Sequence, residues 1–299
     1  PGAIRNICKA MELSVGDFKL VLELRAGEDY SESWKKDLKP IAINKDFIIA
    51  PSWWTEPLAA DKNAKVLRLD PGSAFGSGHH PTTYMCLKAL SDLSLEANHP
   101  ASILDLGAGS AVLALASALM FPQGRFAAID NDPETSFAAK SNLALNNLAD
   151  KIEHQIASIE EIDGPFDLIV ANLTRNTLVA LAKQMALKTK TPGKLILSGL
   201  IEEQVADVVK AFGALGFHPV RHLSMAEWSA LLLSNAAHAG SKPVKELVEE
   251  PRWEDDQDPA QDEPNGDASG ADDTGDAGDT GRRDALKSKS LSSSSEPGQ

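Results

Sequence analysis

Between residues 101 and 234 the chain alternates short, almost wholly apolar runs with longer segments patterned for helices. The runs "ASILDLG" (101–107), "GRFAAID" (124–130), "FDLIVAN" (166–172) and "GKLILSG" (193–199) lack regular polar alternation. Each therefore expects cover on both faces, as strands of a parallel sheet do. Between them lie "SAVLALASALMF", the Pro133-led "PETSFAAKSNLALNN", "TRNTLVALAKQMALKT" and the amphipathic "IEEQVADVVKAFGALG", all read as helices. "KIEHQIA", "FHPVRHLS" and "EWSALLLS" add strands. Strands separated by helices are joined by crossovers rather than hairpins. The pattern predicts an α/β fold over residues 56–238, with a mostly parallel central sheet and helices on both faces.

The flanks read differently. In residues 1–55, "FKLVLEL" (18–24) and "DFIIA" (46–50) suggest strands, but so short a segment is a thin basis for its own core. It is read as an appendage or the end of a larger domain. From residue 239 the composition turns to Asp, Gly, Ser, Pro and Glu. Stretches such as "GDASGADDTGDAGDTG" cannot bury enough apolar surface to offset chain entropy, so residues 239–299 are expected to be a disordered acidic tail. Residues 241–299 hold 16 Asp and Glu against 7 Lys and Arg, which is −9 of the total −14. The remaining −5 on the first 240 residues supplies no electrostatic case for a nucleic-acid partner. No apolar run reaches the roughly 18 residues of a membrane span, and the charged, alternating "MELSVGDFKLVLELR" is unlike a signal peptide. Cys8 and Cys86 make no disulfide framework, and a reducing cytoplasm is expected.

Three strand ends carry candidate chemistry. In "ILDLGAGSAVLAL" (103–115), Gly107 and Gly109 turn a strand into a helix. Such a turn lets a ligand lie against the backbone at a helix N-terminus. A dinucleotide fingerprint needs a third glycine where Val112 stands, so the turn alone is equally an ordinary βα connection. Asp130 ends the next strand, 23 residues beyond Gly107. An acid at about that distance can accept both hydroxyls of a ribose, while Asp132 before Pro133 is the better helix cap. Asn172 ends a third apolar strand, where ligands bind in open α/β sheets; as a residue type it is also common in turns. The adjacent His79 and His80 have no Cys or paired acid at ligand spacing, and no metal is expected.

"DPGSAFGSGHHPTTYMCL" (70–87) narrows this further, together with "SWKKDLKPIAINKDFIIAPSW" (33–53), "DLGAGS", "AID", "VANL", "GLIEEQ" and "EWSAL". In that order they resemble the ribosomal protein L11 methyltransferase family of class I S-adenosylmethionine-dependent enzymes, from about Tyr30 to Ser234. The resemblance implies a Rossmann-like fold with an antiparallel C-terminal strand. It implies S-adenosylmethionine as cofactor, held by Thr83, Gly107, Asp130 and Asn172 and walled by Phe75 and Gly76. It also implies transfer of methyl to lysine and α-amino groups of ribosomal protein L11, with Asn172 orienting the amine. On this reading residues 1–55 are the remnant of a substrate-recognition domain and its linker, and the protein is a cytoplasmic monomer that binds neither nucleic acid nor membrane. Two departures stand out: Ser77 replaces the usual Thr with the hydroxyl kept, and Ala111 replaces the usual third glycine of the loop. Methylation of another protein lysine or a small amine, and a noncatalytic S-adenosylmethionine-binding module, stay open as alternatives.

Overall fold

Two antiparallel strands, β1 (Ile41–Asn44) and β2 (Phe47–Pro51), come first among the described elements. The computed structural model describes residues 38–58, 64–70, 76, 78–237 and 244–248. The strand expected at 18–24 lies outside them. Asn44 closes the hairpin by accepting the Asp46 amide through Oδ1 at 2.7 Å, a local bond that favours Asn in turns. β2 then pairs in parallel with β3 (Lys65–Leu69). The expected boundary at 55/56 therefore falls between two strands that pair with each other. Ile41, Phe47, Ile49, Leu67 and Leu69 enter the same apolar core as Leu87 and Val112, so this linker packs onto the main domain.

The main sheet contains β4 (Ser102–Leu106), β5 (Arg125–Asp130), β6 (Ile152–Ile156), β7 (Phe166–Asn172), β8 (Thr189–Ile201), β9 (His218–Met225), β10 (Trp228–Ser234) and β11 (Val244–Leu247). Its order is β11-β9-β10-β8-β7-β4-β5-β6. β6, β5, β4, β7 and β8 are mutually parallel, while β10 is antiparallel to both neighbours. Helices α1 (Pro81–Leu93), α2 (Val112–Met120), α3 (Ser136–Leu145), α4 (Arg175–Leu187) and α5 (Val205–Gly213) complete it. The strands sort their side chains by alternation, as a pleated strand must. Ile103, Phe126, Ala128, Leu168, Val170 and Ile196 face the core shared with α1, α2 and α3. Leu104, Ala127, Ile129, Ile169, Ala171 and Leu195 face the core shared with α4 and α5. Both faces are apolar, which is why these runs show no regular polar alternation.

β11 departs from expectation. It lies within the segment read as a structureless tail, yet pairs in parallel with β9 from Val244↔Arg221 to Leu247↔Ser224. Arg221 Nη2 reaches Asp92 Oδ2 of α1 at 2.9 Å and Glu246 Oε2 of β11 at 2.5 Å. Lys245 Nζ reaches Glu202 Oε1 at 2.7 Å. Four residues held by a ladder and two ion-pair clusters are invisible to composition averaged over sixty. Among the described residues no helix is long and apolar enough to cross a membrane.

Candidate active site

Chain order reverses at β4, with β5 on one side and β7 on the other. Helices leaving such neighbours go to opposite faces, and a crevice opens at the carboxyl ends. A cleft of about 540 Å³ lies there, within the usual range for a small-molecule site. Gly76, Thr83, Gly107, Asp130 and Asn172 all line it. The structure thus brings together every predicted site residue except Phe75, which lies outside the described residues, as does Ser77. Beside it, a smaller cavity of about 110 Å³ lies between Leu106, Ile129, Ala157 and Leu181, with Asp130 shared by both. A third cavity of about 270 Å³, at the amino ends of β4 and β7 near Asp167 and Lys194, holds none of the predicted residues.

Asp130 is fixed from two sides. Its Oδ2 accepts the Gly109 amide at 2.9 Å and its Oδ1 the Asp132 amide at 3.0 Å. A carboxylate oxygen has lone pairs beyond one bond, so both oxygens keep acceptor capacity toward the cleft. Asp132 caps the next turn, accepting the Glu134 amide at 2.9 Å. Asp132 thus takes the capping role its position suggested, while Asp130 faces the cleft.

Packing by itself requires glycine in this turn. A Cβ on Gly107 (φ +75°) would come within 2.4 Å of Leu173 Cδ2. Gly199 of β8 (φ +85°) lies against the same residue, and a Cβ there would stand 2.3 Å from the Leu173 carbonyl oxygen. The segment Asn172–Leu173 is therefore seated between two glycines. Ala111 takes φ +63° before α2. Its methyl is fully buried in the apolar core and is absent from the cleft lining, so the substitution does not crowd the site.

Asn172 Nδ2 donates to Thr83 Oγ1 at 3.1 Å. Thr83 is buried on the first turn of α1, so its hydroxyl holds Asn172 as well as lining the cleft. His80 caps that helix: its Nδ1 is 2.7 Å from Thr82 Oγ1 and accepts the Thr82 amide at 3.4 Å. His79 turns elsewhere, its Nε2 2.9 Å from the Lys39 carbonyl oxygen. The His80 ring meets Trp228 edge-on at 4.7 Å, and both line the cleft. Burial lowers the His80 pKa, with Glu227 opposing. Beneath the glycine turn, Asp105 is buried, and desolvation pushes its pKa up to about 7 despite a 2.9 Å bond from the Ala114 amide. Its Oδ1 has no partner.

Leu173, Gly199 and Trp228 stand within "VANL", "GLIEEQ" and "EWSAL", which carry the family resemblance, but the sequence assigned none of the three a role of its own.

The strand order, the antiparallel β10 and a cleft built on three adjacent strand ends define a Rossmann-like methyltransferase. The sequence profile described as "Ribosomal protein L11 methyltransferase (PrmA)" matches residues 3–236, and the chain belongs to that family. It is 37% identical over 214 residues to the ribosomal protein L11 methyltransferase of Geotalea daltonii, covering 69% of this chain and 67% of the relative. It is 38% identical over 214 residues to that of Pelobacter propionicus, covering 71% and 68%. The crystal structure of ribosomal protein L11 methylase from Lactobacillus delbrueckii subsp. bulgaricus superposes with a TM-score of 0.59 at 28% identity, over 67% of this chain and 99% of that one.

Proposed function

We propose that this chain transfers methyl groups from S-adenosylmethionine to lysine and α-amino groups of ribosomal protein L11. The observation that carries the cofactor reading is the convergence of Thr83, Gly107, Asp130 and Asn172 on one cleft at the sheet's switch point. The acceptor comes from the printed names of the relatives, all ribosomal protein L11 methyltransferases.

The donor set fits the cofactor. Asp130 offers a carboxylate suited to a vicinal diol. The apolar cavity beyond it, between Leu106, Ile129, Ala157 and Leu181, suits a flat heteroaromatic base. The Gly107 turn brings backbone to the cleft without a side chain. Bound S-adenosylmethionine supplies an already activated sulfonium methyl, so this chain needs no strong nucleophile of its own. Its part is alignment, which in a well-oriented pair lowers the barrier by several kcal/mol, about 7–11 at best. With Nδ2 held by Thr83, the Asn172 side chain presents Oδ1 as an acceptor for an amine N–H, aiming the nitrogen lone pair at the donor. An amine with a pKa near about 10.4 sheds its proton before attack, and this reading assigns that proton to solvent rather than to Asn172.

The division of labour follows: the body from the linker strands to β10 binds donor and acceptor, residues before the linker belong to substrate recognition, and the acidic segment beyond β11 takes no part in transfer. A cytoplasmic monomer acting on protein is the setting this reading implies. Labelled methyl donor incubated with the full chain and purified L11 tests it. Label on L11 supports the reading; donor binding without transfer to L11, but with transfer to another amine, moves the acceptor; no donor binding sinks it.

A further inference from the structure

Three cleft segments far apart in sequence are joined behind the cleft by one strip of polar contacts. Asn142 lies on α3, the helix that follows Asp130 and its capping turn, and is fully buried. Its Oδ1 accepts the Asp70 amide at 2.8 Å, and its Nδ2 donates to the Ser110 carbonyl at 3.1 Å. The amide orientation is dictated by its partners, because a backbone N–H faces one end and a carbonyl the other. Ser110 is also fully buried and sits directly after Gly109. Its hydroxyl donates to the Gly76 carbonyl at 2.7 Å. One turn further on, at the C-cap of α3, Asn146 brackets Arg68 of β3, accepting its amide at 2.9 Å and donating to its carbonyl at 2.7 Å.

Gly76, Gly109 and Asp130 all line the cleft, yet they come from the segment after β3, the turn after β4 and the end of β5. Apolar packing alone leaves such segments free to slide by fractions of an ångström. Buried hydrogen bonds do not, since each broken bond strands a desolvated polar group. We propose that Asn142 and Ser110 are positioning residues for donor binding: through one continuous strip they fix the Gly76 wall against the glycine turn and the ribose-binding acid. This inference rests on the cofactor reading above and extends it to two residues outside the cleft.

Ser110→Ala removes only the link to Gly76. Asn142→Asp keeps the acceptor for Asp70 but turns an oxygen toward the Ser110 carbonyl. Titration calorimetry with S-adenosylmethionine, steady-state kinetics and thermal melts on the full chain separate positioning from bulk stability. Ser110→Ala is expected to raise the donor Kd and KM about tenfold, the effect of one buried hydrogen bond of about 1.4 kcal/mol. Asn142→Asp is expected to raise them further. In both, the acceptor KM stays unchanged and kcat at saturating donor stays within about twofold, as for an interaction that serves binding alone. A lowered melting temperature with donor Kd within about twofold of the parent overturns the proposal, since the strip is then merely structural. Should Asn142→Asp fail to fold, Ser110→Ala decides alone. Absence of donor binding in the parent itself overturns the cofactor reading, and this inference with it.

Discussion

Asn172 and Thr83, 89 residues apart in sequence, meet at 3.1 Å through Nδ2 and Oγ1. The contact joins the carboxyl end of β7 to the first turn of α1. It fixes the Nδ2 end of the Asn172 amide, and both residues line the cleft. Asn172→Ala is expected to weaken donor binding about threefold, since Asn172 is one of several groups around the donor, and to lower methyl transfer about 100-fold, the scale of a lost alignment. Calorimetry and turnover measured on one preparation check this. Equal losses in both would refute the orienting role.

Because Thr83 holds Asn172, the two substitutions should not add. Thr83→Val leaves the Asn172 amide without its anchor, so the double variant is expected to transfer little more slowly than Asn172→Ala alone. Residues in contact couple by roughly 0.5–3 kcal/mol. A double-mutant cycle on kcat that closes at zero coupling would separate their roles.

Gly199→Ala is expected to damage the site without touching a ligand. The new Cβ would stand 2.3 Å from the Leu173 carbonyl oxygen at φ +85°, and backbone cannot swing aside as a side-chain end can. Strain of at least about 2 kcal/mol should show as a lowered denaturation midpoint, together with loss of transfer as Asn172–Leu173 shifts. Unchanged transfer in a folded Gly199→Ala protein would remove Leu173 from the account.

Asp105 gives the pH dependence a definite sign. Its folded pKa of about 7 lies above the ordinary 3.8, so between these values the folded state holds a proton that the unfolded state has released. Its contribution is therefore fully present below about pH 4 and is lost as pH rises through about 7. Asp105→Asn keeps an acceptor for the Ala114 amide without the buried charge. Chemical denaturation at pH 5 and pH 8 should show the parent losing stability relative to this variant by a few kcal/mol. Parallel profiles would contradict the burial argument.

How much of this was legible in the sequence follows from distance along the chain. Gly107, Asp130 and Asn172 were readable because each sits at the end of an apolar run, and an α/β sheet converts that local position into a place in the crevice. Gly199 and Trp228 were not, because their importance lies in contacts with Leu173 and His80 from other strands and helices. β8 runs four residues earlier than its apolar stretch, since Lys190–Gly193 joins through an irregular register that lets Pro192 and Gly193 into a strand. β11 was masked by the acidic composition around it. Removing residues 244–299 should cost only about 1 kcal/mol, the scale of part-exposed ion pairs, while baring the β9 edge and promoting self-association. Thermal melts and light scattering read these two effects separately.

The most direct test is transfer of labelled methyl from S-adenosylmethionine to ribosomal protein L11, with the parent and Asp130→Ala side by side. The account predicts label on lysine and α-amino groups of L11 with the parent. It predicts no label and no measurable donor binding with a folded Asp130→Ala. Transfer that survives Asp130→Ala unchanged, or a parent that binds no donor, would contradict it.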